Sequence, residues 1–258
     1  MTPIWPASCA CAPRIDAVNV SIPWSPGPVG LALELAAMPV TLLGLARGAG
    51  EVTRTSPRGD GHTVLVIPGF TAGDATTLPL RRYLDELGYR TAGWGLGLNL
   101  GIRPEDEPVL EAHAETLAAD GPITVIGWSL GGVYARELAR RRPELVRRVV
   151  TLGTPIRGRD GAAWIIRWFR LLNPAVADDL TDEGAARHAM PLDVPMTAVY
   201  SLTDGVLDGS ACRVRDEDEG PDAENVHVRA AHLAMGFDLD VFRVVADRLH
   251  RDCLSRAA

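Results

Sequence analysis

One short stretch in the middle of the chain constrains its fold more than any other feature. Residues 123–126 form an apolar run, Ile-Thr-Val-Ile, that leads straight into Gly127-Trp128-Ser129-Leu130-Gly131. Residues 133–142 then read as a helix, ended by Pro143. Strand, Gly-x-Ser-x-Gly and helix in immediate succession describe a cramped strand-to-helix turn with a serine at its apex. The pentapeptide alone carries little weight; the strand before it and the helix after it give it meaning. Gly127 and Gly131 have a steric role, because a side chain at either position would run into a neighbouring strand or helix.

Around this turn, apolar runs alternate with helical segments. Residues 64–67, 91–95, 123–126, 149–152 and 196–201 read as strands, and residues 77–87, 107–119, 133–142 and 238–254 as helices. With 258 residues, the chain has enough material for one large α/β domain. Repeated strand–helix alternation predicts a mostly parallel, doubly wound sheet with helices on both faces. Ahead of this pattern, residues 1–60 are set apart as a proline-rich arm (1–28), a helix (29–47) packing on or beside the core, and a Gly/Pro-punctuated linker (48–61). Residues 61–258 make the main domain. Within it, residues 156–194 break the rhythm and predict a small helical cap over the site. Trp164, Trp168 and Phe169 in that insertion are candidate substrate contacts, though their spacing also fits simple packing of a cap helix.

Composition removes several chemistries. All 26 basic residues are arginines, so Schiff-base chemistry, a lysine base and a lysine-dependent phosphate loop are excluded. A net charge of −7 argues against a nucleic-acid partner. The four cysteines lack metal or redox spacing and read as unpaired thiols, with a Cys212–Cys253 bridge left open. The N-terminus has no basic start of a secretion signal, and the location expected is cytoplasmic. The apolar run 29–45 is interrupted by Glu34 and Pro39 and reads as too short for a comfortable membrane span. Peripheral membrane contact through residues 29–47 or the cap is the alternative to ordinary packing. The acidic run 216–222 lacks the closing pattern of a calcium loop and reads as a solvated loop.

Ser129 is the candidate nucleophile, and a serine hydroxyl needs a base oriented by a carboxylate. On this kind of turn the chain order is serine, then acid, then histidine. His62 and His113 precede the serine, His188 lies in the insertion, and His250 falls on the polar side of the last helix. His227 sits in a strand-like alternation, which leaves His232, in the small-residue loop before the last helix, as the candidate base. Asp204, directly after the 196–201 strand, is the candidate acid, with Asp208 as runner-up and Glu183 and Asp193 more distant; Asp204-Gly205 could also merely form a turn. Two backbone N–H donors are needed for a developing oxyanion. Leu130 is one candidate, and the loop Pro68-Gly69-Phe70-Thr71 supplies the other: proline cannot donate, and Gly69 permits the sharp turn that points the Phe70 amide inward, so Phe70 is preferred over Gly69 or Thr71.

Together, Pro68-Gly69-Phe70, Gly127-Trp128-Ser129-Leu130-Gly131, the Tyr200-to-Gly205 segment and Ala231-His232-Leu233 resemble the α/β-hydrolase superfamily, in its bacterial esterase/lipase-like branch. The resemblance covers residues 64–254; proline stands where lipases place the histidine of their oxyanion element, and residues 1–60 lie outside it. It implies the α/β-hydrolase fold and a serine carboxylester hydrolase working through an acyl-enzyme on small-molecule or lipid esters with an apolar acyl group. An acyltransferase or thioesterase with the same residues is the alternative, and a non-catalytic binding protein on the same fold is a remote one. No cofactor is implied, and no metal, for want of a carboxylate–histidine cluster.

Overall fold

The computed structural model describes residues 26–101, 103, 105–156, 190–214 and 222–257, with side chains to Arg251. Most of the N-terminal arm and of the expected cap lies outside the described residues, including Trp164, Trp168 and Phe169, as do Glu183, His188 and the acidic run to residue 221.

Among the described residues, six strands, β1 (Thr63–Ile67), β2 (Arg90–Gly93), β3 (Ile123–Trp128), β4 (Val146–Leu152), β5 (Met196–Ser201) and β6 (Ala223–Val228), pair in the order β2-β1-β3-β4-β5-β6. Every pairing is parallel. Parallel strands covered on both faces must be apolar throughout, and all six residues of β3 are buried. Alternate side chains then feed two cores. Leu65, Ile67 and Val125 point to one face, under α3 (Asp106–Leu117) and α4 (Leu130–Arg141), with Leu110, Tyr134 and Leu138 packed on them. Val64, Val66 and Ile126 point to the other, under α2 (Asp74–Leu87) and the last helix, α5 (Leu239–Ala257), with Leu84, Phe242 and Leu249.

The chain begins its sheet at β1, moves outward to β2, then returns to the other side of β1 with β3. That reversal splays apart the loops after β1 and β3 at their carboxyl ends and leaves a crevice there. Both loops carry residues singled out above.

Several boundaries differ from the sequence reading, α2 starting at Asp74 and β4 at Val146 among them, and two bear on the site. Helix α4 starts at Leu130 rather than 133, directly after Ser129. Helix α1 spans Pro28–Thr55, so residues 48–55 are helix and not linker. Gly48 and Gly50 weaken that helix locally, but Gly48 lets it press on Leu239, and Val52 is buried among Leu84 and Phe242. Tertiary burial overrides propensity here. At 28 residues, α1 is long and apolar enough by length and composition to cross a membrane, which corrects the reading of the run as too short. Only a narrow stripe of it, including Gly30, Glu34 and Val52, is buried.

Candidate active site

Ser129 caps the N-terminus of α4 with φ 53° and ψ −121°, a conformation unfavourable for any side-chain-bearing residue. Its surroundings hold it there. The Ser129 amide donates to the Leu152 carbonyl at 2.8 Å, while its own carbonyl accepts from Gly132 N at 3.0 Å and Thr154 Oγ1 at 2.9 Å. Close approach makes the flanking glycines necessary. A Cβ on Gly127 would overlap the backbone of Gly131 and Gly132, and one on Gly131 would overlap the carbonyls of Ile67 and Pro68. The start of α4 is therefore pressed onto the ends of β1 and β3, with the half-buried Ser129 side chain at the crevice.

His232 opens a short 3-10 turn, His232–Ala234, on the loop that leaves β6. Its Nε2 lies 2.9 Å from Ser129 Oγ and its Nδ1 2.7 Å from Asp204 Oδ2. Asp204 follows β5, and its other oxygen, Oδ1, accepts the amides of Val206 at 2.8 Å and Leu207 at 2.7 Å. Asp204 thus makes the turn that an Asp-Gly pair often makes and still presents one oxygen to the imidazole. A carboxylate only accepts, so the proton is assigned to Nδ1, which leaves Nε2 bare to accept from the serine hydroxyl. Ser129, His232 and Asp204, separate in sequence, form one hydrogen-bonded chain.

Other sequence candidates lie elsewhere. His62 pairs with Asp60 and reaches Thr124 Oγ1 at the amino end of the sheet. His113 bonds the Gly93 carbonyl, His250 bonds the Arg58 carbonyl, and exposed His227 rests against Tyr200 on β6. Asp208 and Asp193 are exposed, Asp208 accepting from the Ser210 amide.

The loop after β1 is seated against the serine: a Cβ on Gly69 would lie 3.3 Å from Ser129 Cβ. Thr71, at φ 59°, donates its amide to the Asn99 carbonyl at 2.6 Å, which removes it from the oxyanion donors considered above. Phe70 and Gly69 are left on this loop. Leu130, as the first residue of α4, has an N–H with no partner inside its helix, at the positive end of the helix dipole.

Three supports escaped the sequence reading. Asn99, fully buried, donates Nδ2 to the Pro68 carbonyl at 2.8 Å and its amide to Ala72 O, stapling the loop after β1. Trp128, buried at the end of β3, donates its indole N–H to the His232 carbonyl at 3.1 Å. Glu34 on α1 accepts amides from the acid and base loops. The glycines around Asn99 mark a tight loop, but no local pattern could identify its partners.

Burial by itself would push the His232 imidazole below its usual pKa. The charge and hydrogen bond of Asp204, with the charge of Glu34, outweigh that and hold it above. Nearby Cys212 is a free thiol, so it makes no bridge to Cys253. Burial first, then the charges of Asp204 and Asp208, raise its pKa far above the ordinary value, which leaves it a poor nucleophile.

No family model matches the chain. A pimeloyl-[acyl-carrier protein] methyl ester esterase from Aromatoleum aromaticum is 38% identical over a match covering 24% of this chain and 34% of that protein. A biotin biosynthesis bifunctional protein from Teredinibacter turnerae is 43% identical over 23% of this chain and 10% of its own. The matches therefore span about a third and a tenth of the curated relatives. Among solved structures, a monoacylglycerol lipase from Paleococcus ferrophilus superposes with a TM-score of 0.57 at 15% identity, over 76% of this chain and 96% of that one. An α/β-hydrolase enzyme from the metagenome of sediments of the Mar Chica lagoon, Morocco, gives 0.52 at 18% identity, over 78% and 94%.

Proposed function

We propose, for a chain that has the α/β-hydrolase fold, that it is a serine carboxylester hydrolase acting through an acyl-enzyme. One observation carries the reading: the unbroken hydrogen-bond chain Ser129–His232–Asp204 at a strained strand-to-helix turn. His232 Nε2 takes the Ser129 proton as Oγ attacks the ester carbonyl carbon, and Asp204 stabilises the imidazolium that forms. The carbonyl oxygen takes the electron pair and is met by the Phe70 and Leu130 amides. Collapse of that intermediate breaks the C–O bond, and the imidazolium returns its proton to the departing alcohol. Water then attacks the acyl-enzyme by the same route and releases the acid and free Ser129.

Support for an ester as substrate comes from the methyl ester esterase among the relatives. Support for an apolar acyl group comes from the edge of the crevice. Leu98 and Leu100, on the loop after β2 that carries Asn99, and Leu202, two residues before Asp204, are all exposed. Exposed Val29 and Leu33 on the first turns of α1, which rest on the Gly205 loop, continue this apolar rim. A lipid-containing surface touched peripherally through residues 29–47 fits the same rim, with the active site facing it. Trp164, Trp168 and Phe169 of the 156–194 insertion are proposed as contacts to the acyl group on their sequence alone.

A chain-length series of nitrophenyl esters, run on the wild type and on Ser129→Ala, tests the reading. The expected result is a preference for medium over acetyl chains and loss of turnover in the variant. Retained turnover in Ser129→Ala overturns the nucleophile; absence of any ester turnover in the wild type overturns the activity.

A further inference from the structure

Helix α1 lies ahead of the strand–helix pattern that carries the α/β-hydrolase resemblance, yet it places a carboxylate between the two loops that carry the acid and the base. Glu34 is only 3% exposed. A buried acid needs partners, and here all three bonds come from backbone amides. Oε1 accepts from Gly205 N at 2.6 Å and from His232 N at 2.8 Å; Oε2 accepts from Leu233 N at 2.8 Å. Gly205 is the residue after Asp204, and His232 is the base itself.

The contact is built, not incidental. The Gly27 amide donates to the Gly205 carbonyl at 3.0 Å. Gly30, one helical turn before Glu34, lies against the Gly205 backbone so tightly that a Cβ at either glycine would overlap the other. From the opposite side, the Trp128 indole N–H holds the His232 carbonyl. The His232 backbone is thus held at its N–H by α1 and at its C=O by β3, while Asp204 holds the ring.

We propose that Glu34 is a positioning residue, through which α1 ties the Asp204 and His232 loops together and fixes the imidazole against Ser129. The inference rests on the reading of Ser129 as nucleophile and His232 as base. Its second consequence is electrostatic. Asp204, on the loop after β5, and Glu34, on α1, are the charged groups that act on the His232 ring among the described residues, and both favour the imidazolium.

Glu34→Gln, Gly30→Ala and Ser129→Ala, each made in the full chain, test it with a nitrophenyl ester. The amide of Glu34→Gln keeps the volume but removes the charge and turns a donor toward an N–H. Displacement of reacting groups by about 1 Å can cost roughly 100-fold in rate, so kcat is expected to fall by roughly 10- to 100-fold at unchanged KM. The acid limb of kcat/KM is expected to move to lower pH, which a merely structural defect does not produce. Gly30→Ala leaves the carboxylate intact but pushes α1 off Gly205, and a similar loss of kcat is expected. Wild-type kcat with an unmoved acid limb in a cooperatively melting Glu34→Gln protein overturns the proposal. Should Glu34→Gln not fold, wild-type kcat in Gly30→Ala overturns it instead. Ser129→Ala separates the two readings: if it is active, the catalytic reading has failed, and if it is inactive while the α1 variants match wild type, only the role of Glu34 has failed.

Discussion

At the scale of single residues, the candidate site combines a strained serine with hydrogen bonds that each have a visible support. Ser129 could be found from sequence because the features that force its conformation are local: Gly127 and Gly131 exclude side chains where α4 meets β1 and β3. Gly131→Ala would place a methyl group onto the Ile67 and Pro68 carbonyls, backbone atoms that cannot move aside. The expected result is loss of soluble folded protein or of the cooperative melt, read by circular dichroism. Asp204 was visible for a different reason, its place at the end of a late strand, and its two amide partners on Oδ1 show that making the turn leaves Oδ2 to hold His232 Nδ1. Asp204→Asn removes the first of the influences that raise the His232 pKa and offers the wrong hydrogen-bonding group to Nδ1. In the triad mechanism this exchange lowers kcat by roughly 10⁴-fold. The pH profile follows from the same balance. Only neutral imidazole accepts the serine proton, so activity falls as pH drops through the raised pKa, and the acid limb of kcat/KM is expected above the ~6.5 of free imidazole. Asp204→Asn is expected to move that limb down.

At the scale of elements, α1 departs most from the sequence reading. Gly48 and Gly50 read locally as linker, and nothing in the local sequence reports that Val52 is buried against α2 and α5. Glu34 was legible only as an interruption in an apolar run, because its three amide partners lie 171 to 199 positions away. Asn99 was missed for the same reason: its role is a contact across 31 positions, with no repeat or period to reveal it. Val52→Ala is expected to lower stability by about 1–3 kcal/mol in urea unfolding, without changing KM. The outer face of α1 makes a separate prediction. Val29 and Val40 are more than 70% exposed, and Arg47 is the first charged residue after the buried Glu34. A helix apolar on all sides but buried on one stripe favours a lipid surface. The protein is expected to float with liposomes of neutral phospholipid, and Val40→Glu with Leu43→Glu, both exposed, to abolish flotation while leaving turnover of a soluble ester unchanged. Concentration-dependent dimerisation of the wild type without flotation would instead assign this face to a second copy of the chain.

At the scale of the whole molecule, topology converts scattered residues into one site. Each described strand points its carboxyl end the same way, and the reversal from β2 back to β3 opens the crevice where the loop after β1 meets Ser129. The alternation of apolar runs and helices made this architecture readable, and the spacing of Leu65, Val66 and Ile67 shows why: neighbouring residues supply opposite cores. What sequence could not give was the buttressing, because Trp128, Asn99 and Glu34 act through contacts that exist only after the sheet and α1 have assembled. The proposed hydrolysis requires this assembled turn to form a covalent acyl-serine. Rapid quenching of the wild type with a nitrophenyl ester, followed by peptide mass spectrometry, tests it most directly. A burst of nitrophenol and one acyl group on the peptide carrying Ser129 are expected, with neither in Ser129→Ala. Steady turnover with no acyl mass on that peptide, or an acyl group on another residue that persists in Ser129→Ala, would contradict it.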